Sequence, residues 1–311
     1  MSMAVSEGDS AVERSSPPTR RVAELLDVLT DAGDRPLSLA ELVRRTGIAR
    51  ATCLGIVNEL TASGYLVRNA ADRTYCLGPA LIAVGRAAER TFPALAGLRP
   101  HLAELAREFD AVCTVMATVD EQYIAVLAAV DPVRRFDPAV RDGQRWDYAP
   151  PAGIVHAAWD TDDAVERWLA RPGLPGIGFD PAHLRAAVAA CRARGYFIER
   201  LTRVYTLLDG LSGEEMSPRA RGVVESVAAT MGERDFLVDG LRDGETYDIG
   251  VVSVPVYGPD GRPRLEISLR LMRTGMTPAA IEACADRLRG VAAQATAATG
   301  GRDPWSATRP R

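Results

Sequence analysis

All 37 basic residues of the 311-residue chain are arginines, and lysine is absent. An arginine presents a planar fork of donors that grips phosphate or carboxylate through two bonds at once. Several stand in pairs or beside turn-like residues: Arg20 and Arg21, Arg44 and Arg45, Arg50, then Arg68 and Arg73. Between residues 17 and 90 ten arginines meet eight acidic residues, a local +2 in a chain whose net charge is −4. That sign suits a head that touches a polyanion, because local and not global charge decides such contacts. The three histidines (His101, His156, His183) and five cysteines (Cys53, Cys76, Cys113, Cys191, Cys284) are scattered, with no C-x-x-C. Neither a metal site nor a disulfide framework is expected.

Catalytic patterns are missing from the sequence. There is no G-x-S-x-G, P-loop, H-E-x-x-H or G-x-G-x-x-G, and Gly173–Gly178 reads as a loop. Asp162–Asp163 and Glu214–Glu215 fall at polar helix starts, where the helix dipole already accounts for acidic residues. His156 sits in the apolar stretch GIVHAAW and reads as a packed histidine, while His183 opens a helix after Asp180–Pro181 and reads as a surface residue. No nucleophile, base and oxyanion donor come together, so no enzyme and no cofactor are expected. With 47% apolar and 25% charged residues the chain has an ordinary globular balance. It lacks an apolar run of membrane-spanning length, so no membrane association is expected. The polar start has no h-region, and the protein is expected in the cytoplasm.

The elements that position the arginines follow from periodicity. Residues 1–18 are expected to be a disordered lead-in. In RRVAELLDVLTDAG, Val22, Leu25, Leu26 and Leu29 form the i, i+3, i+4, i+7 stripe of a surface helix. LSLAELVRRTG holds Ser38 and Glu41 at capping-box spacing, turns Leu39, Leu42 and Val43 inward, and places Gly47 to close the helix. ARATCLGIVNELTASG predicts a third helix with Cys53, Leu54, Val57 and Leu60 on its buried side and Gly64 at its end. YLVRNAADRTYCLG then predicts two short strands around Asn69–Arg73. Three helices and a hairpin in this order describe a winged helix-turn-helix over residues 19–88. A plain helical bundle shares part of the pattern.

The run RRTGIARATCLGIVNELTASGYLVRN…YCLG resembles the DNA-binding head of the IclR (isocitrate lyase regulator) family of bacterial transcription regulators. The residues that carry the resemblance are Leu39, Glu41, Leu42, Gly47, Ile48, Thr52, Val57, Leu60, Gly64, Tyr65, Tyr75, Leu77 and Gly78. Further along, Leu95, Leu98, Leu102 and Leu105 suit a linker helix over 89–110 that joins head to sensor. AVCTVMATV and EQYIAVLAAV read as a hairpin split by Asp120–Glu121. PPAGIVHAAW, HLRAAVAACRARGYFIER and VVSVPVYGPDGRPRLEISL are similar to successive sensor segments of the family, the last a hairpin turning at Pro259–Arg262. MTPAAIEACADRLRGVAAQATAATG closes the domain as a helix capped by Thr277 with Pro278 at its first position. The resemblance therefore implies an α+β protein of two domains. A winged helix-turn-helix would lead into a GAF-like effector-binding domain over 111–299, with a loose tail at 300–311.

What the resemblance implies about sites is more specific. On the third helix, Ala51, Thr52, Gly55, Asn58 and Glu59 oppose the apolar face, and Arg50, Thr52 and Asn58 could read base edges. Arg20, Arg21, Arg44, Arg45, Arg68 and Arg73 are candidates for phosphate contacts, which position a protein without specifying sequence. By position, Met116, Ala152, His156, Ser253 and Ser268 fall where effector contacts are expected. The implied partners are double-stranded promoter DNA, a small organic-acid or aromatic metabolite, and further copies of the chain in a homodimer or dimer of dimers. Arg134, Arg135 and Arg145 could pair with a carboxylate ligand, or be surface residues. The chain departs from the family in a long segment between Gly195 and Val251, holding an expected helix begun by Ser217–Pro218, and in Val251 where the family has a pocket cysteine. A second reading, a sensor or interaction protein whose head no longer reads DNA, rests on the small uncharged face of Ala51, Thr52 and Gly55.

Overall fold

A computed structural model describes residues 16–131, 142–174, 178–201, 236 and 239–305. The lead-in before residue 16, Arg134 and Arg135, the pair Glu214–Glu215, the helix expected at Ser217–Pro218 and the last six residues lie outside them. The chain divides into two compact units, Met1–Thr91 and Phe92–Arg311.

The first unit runs α1 (Pro17–Asp31), β1 (Leu37–Ser38), α2 (Leu39–Thr46), α3 (Arg50–Ala62), β2 (Leu66–Arg68), β3 (Thr74–Leu77) and α4 (Ala80–Glu89). Helix α1 starts at Pro17, inside the stretch expected to be disordered, because two prolines at its first positions suit a helix start. Ser38 caps α2 as expected: its hydroxyl accepts from the Glu41 amide, and the Glu41 carboxylate accepts from the Ser38 amide at 2.9 Å. These bonds from Ser38, then Arg35, hold the Glu41 carboxyl below its usual range. Gly47, at φ 70°, ends α2 in the left-handed conformation and starts the turn into α3. The core joins Leu25, Leu29, Leu37, Leu42, Ile48, Cys53, Val57, Leu66 and Tyr75.

Two features differ from what the sequence predicts. The two residues of β1 pair with β3, so the wing is a three-stranded sheet in the order β1-β3-β2. Leu54, expected on the buried side, is 41% exposed. At about 100° per residue, Leu54 and Ile56 lie on opposite flanks of the Cys53–Val57–Leu60 face, and it is the Ile56 flank that packs on the core. At the far end of the wing, a Cβ on Gly78 would meet the carbonyl oxygen of Gly64, which requires glycine there.

The second unit is built on a six-stranded antiparallel sheet, β6-β5-β4-β9-β8-β7. Its strands are β4 (Val112–Val119), β5 (Tyr123–Val130), β6 (Arg145–Asp147), β7 (Phe197–Arg200), β8 (Tyr247–Tyr257) and β9 (Pro263–Met276). The β4–β5 and β8–β9 hairpins turn where expected, the first through Asp120 and Glu121 at φ 50° and 53°. Helix α5 (Pro93–Phe109) and the last helix, α9 (Pro278–Ala298), cover one face of the sheet. The short α6 (Ile154–Ala158), with α7 (Asp162–Leu169) and α8 (Pro181–Arg194), covers the other. The helix expected over 89–110 is thus α5, and its Leu95, Leu98, Leu102 and Leu105 lie in this unit's core. Thr277 caps α9 with Pro278 following.

Strand alternation decides what each face carries. Along β9, Leu265, Ile267, Leu269 and Leu271 enter the α5–α9 core. The alternate residues Glu266, Ser268 and Arg270 face the α6 side. The polar residues of the strand are thereby gathered under α6.

Candidate nucleic-acid interface and ligand pocket

In the head, α2 is held by its Ser38–Glu41 capping box, and Ile48 is buried in the turn between α2 and α3. Thr46 stiffens that turn: its hydroxyl donates to the Leu42 carbonyl at 2.8 Å and accepts from the Ile48 amide at 3.2 Å. The result presents the outer side of α3 to solvent, with Arg50, Ala51, Thr52, Gly55 and Asn58 all exposed. Leu54 joins this face, which its apolar character in the sequence did not signal; an exposed leucine there suits a thymine methyl group. Nothing lies within 4 Å of a Cβ built on Gly55, so the helix has a bare notch at its middle.

The expected phosphate contacts are also on the surface. Arg21, Arg44, Arg45, Arg68 and Arg73 are exposed, whereas Arg20 lies 3.6 Å from the Glu24 carboxylate. Arg68 and Arg73 flank a wing loop tied by its own side chains. The Asn69 carboxamide oxygen accepts from the Ala71 amide at 2.9 Å, and the Asp72 carboxylate accepts from the Thr74 hydroxyl at 2.6 Å. Arg73 itself has φ 58° and helps turn the loop.

In the second unit the expected effector residues separate into two adjacent places. Met116, Ala152 and Ser268 line a cavity of about 150 Å³ between the sheet and α6. Ser253 stands directly across from Ser268 in the β8–β9 register and donates to it at 2.8 Å. Ser268 in turn donates to the Glu266 carboxylate at 2.8 Å. His156 instead lines a second, larger cavity of about 510 Å³ with Tyr148, Trp168, Arg167, Arg171 and Arg262. Its Nδ1 is 3.7 Å from Glu266, so this histidine and that carboxylate stand between the two spaces.

A carboxylate at 3.7 Å favours a protonated imidazole, but His156 is only 2% exposed and burial dominates. Its pKa is pushed down to about 4, which leaves the ring neutral at physiological pH. Neither ring nitrogen has a hydrogen-bond partner among the described residues. His183, expected at the surface, is half-buried and stacks on Phe236 at 6.2 Å, because α8 packs that side against the β7 edge. Arg145, offered for a ligand carboxylate, is exposed on β6 and lies over the Tyr123 ring at 5.6 Å, outside both cavities. The arginine of the smaller cavity is Arg270, and its carboxylates are Glu199 and Glu266. Motif spacing did not single out these three, although the run Glu266–Ser268–Arg270 on one strand face is the signal that finds two of them. Among the described residues no cluster of three or more metal-ligating side chains occurs, and no helix is long and apolar enough to cross a membrane.

A winged helix-turn-helix followed in the chain by an α+β unit is the class these features define. Residues 18–70 match the model of the IclR helix-turn-helix domain. Solved structures similar over nearly the whole chain include an IclR transcriptional regulator from Alicyclobacillus acidocaldarius, at 19% identity and TM-score 0.58, covering 92% of this chain and 100% of that one. The Thermotoga maritima IclR is similar at 17% identity and TM-score 0.59, over 91% of this chain and 98% of that one. An IclR homologue from Microbacterium hydrocarbonoxydans, complexed with 4-hydroxybenzoate, is similar at 18% identity and TM-score 0.56, over 90% and 99%. No curated protein matches the chain. The head is an IclR helix-turn-helix domain, and the chain has the fold of the IclR transcriptional regulators.

Proposed function

We propose that the protein is a sequence-specific transcriptional regulator of the IclR type, acting in the cytoplasm and controlled by a small metabolite, rather than an enzyme. The single observation that carries the reading is the exposed outer face of α3, offered by a capped helix-turn-helix and flanked by Arg44, Arg45, Arg68 and Arg73. Residues 19–88 read DNA, residues 111–299 form a GAF-like sensor, and the helix over 89–110 couples them. Base-edge contacts fall to Arg50, Thr52 and Asn58, with Ala51 and Gly55 letting the helix approach closely. The arginines, Arg20 and Arg21 included, bind phosphates. So thinly armed a helix reads few base pairs, which favours a homodimer or dimer of dimers on a palindromic site.

The cavity lined by Met116, Ala152 and Ser268, backed by Ser253 and His156, is the effector site in this reading. The 4-hydroxybenzoate held by the Microbacterium relative supports a small organic-acid or aromatic ligand. Helix α5 packs on β4, whose opposite face lines the cavity, so a ligand that favours one placement of β4 biases α5. Only a difference in ligand affinity between two arrangements shifts DNA occupancy.

Fluorescence anisotropy with the duplex immediately upstream of the protein's own gene tests this, alongside a scrambled duplex, an Arg50→Ala variant and a salt series. Tighter binding to the native duplex, a log K that falls linearly with log salt, and loss in the variant are expected. Equal, negligible binding to both duplexes and to selected genomic fragments would overturn it.

A further inference from the structure

The larger cavity of the second unit, at about 510 Å³, falls within the ~300–1,000 Å³ of small-molecule sites. Its ion pairs balance charge but leave hydrogen-bond donors over. Arg262 spends Nε and Nη2 on the Asp160 carboxylate, the shortest contact at 2.6 Å, and reaches Glu121 with Nη2 at 3.2 Å, so its Nη1 is unused. Arg171 spends Nη1 on the carbonyl oxygens of Glu121 and Tyr148, and its Nη2 lies 3.7 Å from the Glu121 carboxylate. Arg264 is paired with Asp260 at 2.6 Å. Arg167, exposed on α7, has neither a hydrogen bond nor an ion pair among the described residues. The Tyr148 hydroxyl has no partner among them either, and burial, then the nearby Asp160, hold its pKa well above the usual tyrosine value, so it stays a donor. His156, 2% exposed in the wall, adds two ring nitrogens without hydrogen-bond partners. Asp120, exposed in the β4–β5 turn, is the one carboxylate of this lining without a partner among the described residues.

We infer that this cavity is a second ligand site, taking a polar oxyanion of the size of a sugar acid or a sugar phosphate. The anion's oxygens accept from the unspent donors of Arg167, Arg262 and Tyr148, and a guanidinium holds an anionic oxygen more strongly than a neutral one. A hydroxyl elsewhere on the guest donates to Asp120, which repels an oxyanion placed beside it. An apolar guest would bury these donors without acceptors. A carboxylate and a phosphate present the same kind of acceptor oxygens, and matched probes tell the two apart.

Calorimetric titration of the full chain with gluconate, glucose 6-phosphate and glucose tests this, because the three share a polyhydroxylated carbon chain and differ in the anion. Gluconate or glucose 6-phosphate is expected to bind about tenfold or more tightly than glucose, and whichever leads identifies the anion. Arg167→Gln, at an exposed position, should weaken the tighter anion about tenfold and leave glucose unchanged. Tyr148→Phe removes only a hydroxyl and should weaken the same anion about fivefold. Arg145→Ala takes an exposed arginine from outside both cavities, controls for surface charge, and should leave every affinity unchanged. Glucose that binds as tightly as both anions, no binding by either anion, or equal losses in Arg167→Gln and Arg145→Ala overturns the inference. So does anion binding that survives both Arg167→Gln and Tyr148→Phe intact.

Discussion

The hydroxyl of Ser253 on β8 lies 2.8 Å from that of Ser268 on β9, the two residues facing each other across the sheet in a position where both are fully buried. Ser268 in turn donates a hydrogen bond to the carboxylate of Glu266, two residues along β9, at 2.8 Å. Removing the middle of this relay should be felt throughout it. Ser268→Ala is expected to destabilise the chain by about 2 kcal/mol, since it strands the Ser253 hydroxyl and withdraws a donor from a buried carboxylate. A urea melt should show a lower midpoint at unchanged slope.

His156 imposes a pH dependence with a definite sign. In the unfolded chain its imidazole protonates as pH falls through about 6.5, whereas in the folded chain it stays neutral until about 4. Its contribution is fully present above the unfolded value and is lost as pH falls through this window, by about 3 kcal/mol in all and about 2 kcal/mol by pH 5. Unfolding free energies measured from pH 7.5 to 5 should fall more steeply in the wild-type chain than in His156→Gln. Parallel curves for the two proteins would contradict the assignment.

The cap on α2 makes a local prediction. Ser38→Ala should cost about 1 kcal/mol of helix stability, read as roughly fivefold faster hydrogen exchange of the α2 amides. Because the bonds from Ser38 hold the Glu41 carboxyl low, the difference between wild type and variant should persist at neutral pH. It should shrink in acid as Glu41 protonates.

Gly55 offers a gain. Its α3 position has open space at the Cβ and no positive φ, so Gly55→Ala should stabilise the head by about 1 kcal/mol through helix propensity alone. Gly55→Arg adds a guanidinium to the exposed face. It is expected to tighten binding to any duplex and to steepen the salt dependence by about one unit of log–log slope. Melting and anisotropy on the two variants separate the stability effect from the charge effect.

On DNA, the two kinds of contact should separate. Asn58→Ala is expected to cost about 1–3 kcal/mol on the native duplex and almost nothing on a scrambled one, the signature of a base contact. Arg68→Ala should weaken both duplexes alike and lower the salt slope by about one. Side-by-side salt titrations of the two variants distinguish these patterns.

Much of this protein is legible in its sequence because the chemistry that shapes those parts is local. The Ser38–Glu41 capping box, the glycine at 47, the Asp120–Glu121 turn and the Thr277–Pro278 start of α9 depend on residues a few positions apart, and each stands where the sequence puts it. Periodicity exposes Arg50, Thr52 and Asn58 for the same reason. It fails at Leu54 because two apolar flanks compete for one buried face, and packing chooses Ile56. The third strand of the wing, two residues long, carries no pattern and exists only through its pairing with β3.

The ligand pocket belongs to the tertiary structure. Strand order places β9 between β4 and β8, and so brings Thr114, Ser268, Ser253 and Phe197 into one row across four strands. No sequence period links residues so far apart, because register between distant strands is set by which faces must be buried together. That same burial turned Glu266 toward Ser268, drew His156 out of the smaller cavity into the wall of the larger, and left Arg145 outside. The sequence alone determined which residues were polar and where the helices and turns fall. Which of those polar residues meet was decided by the long-range packing of the sheet against α6.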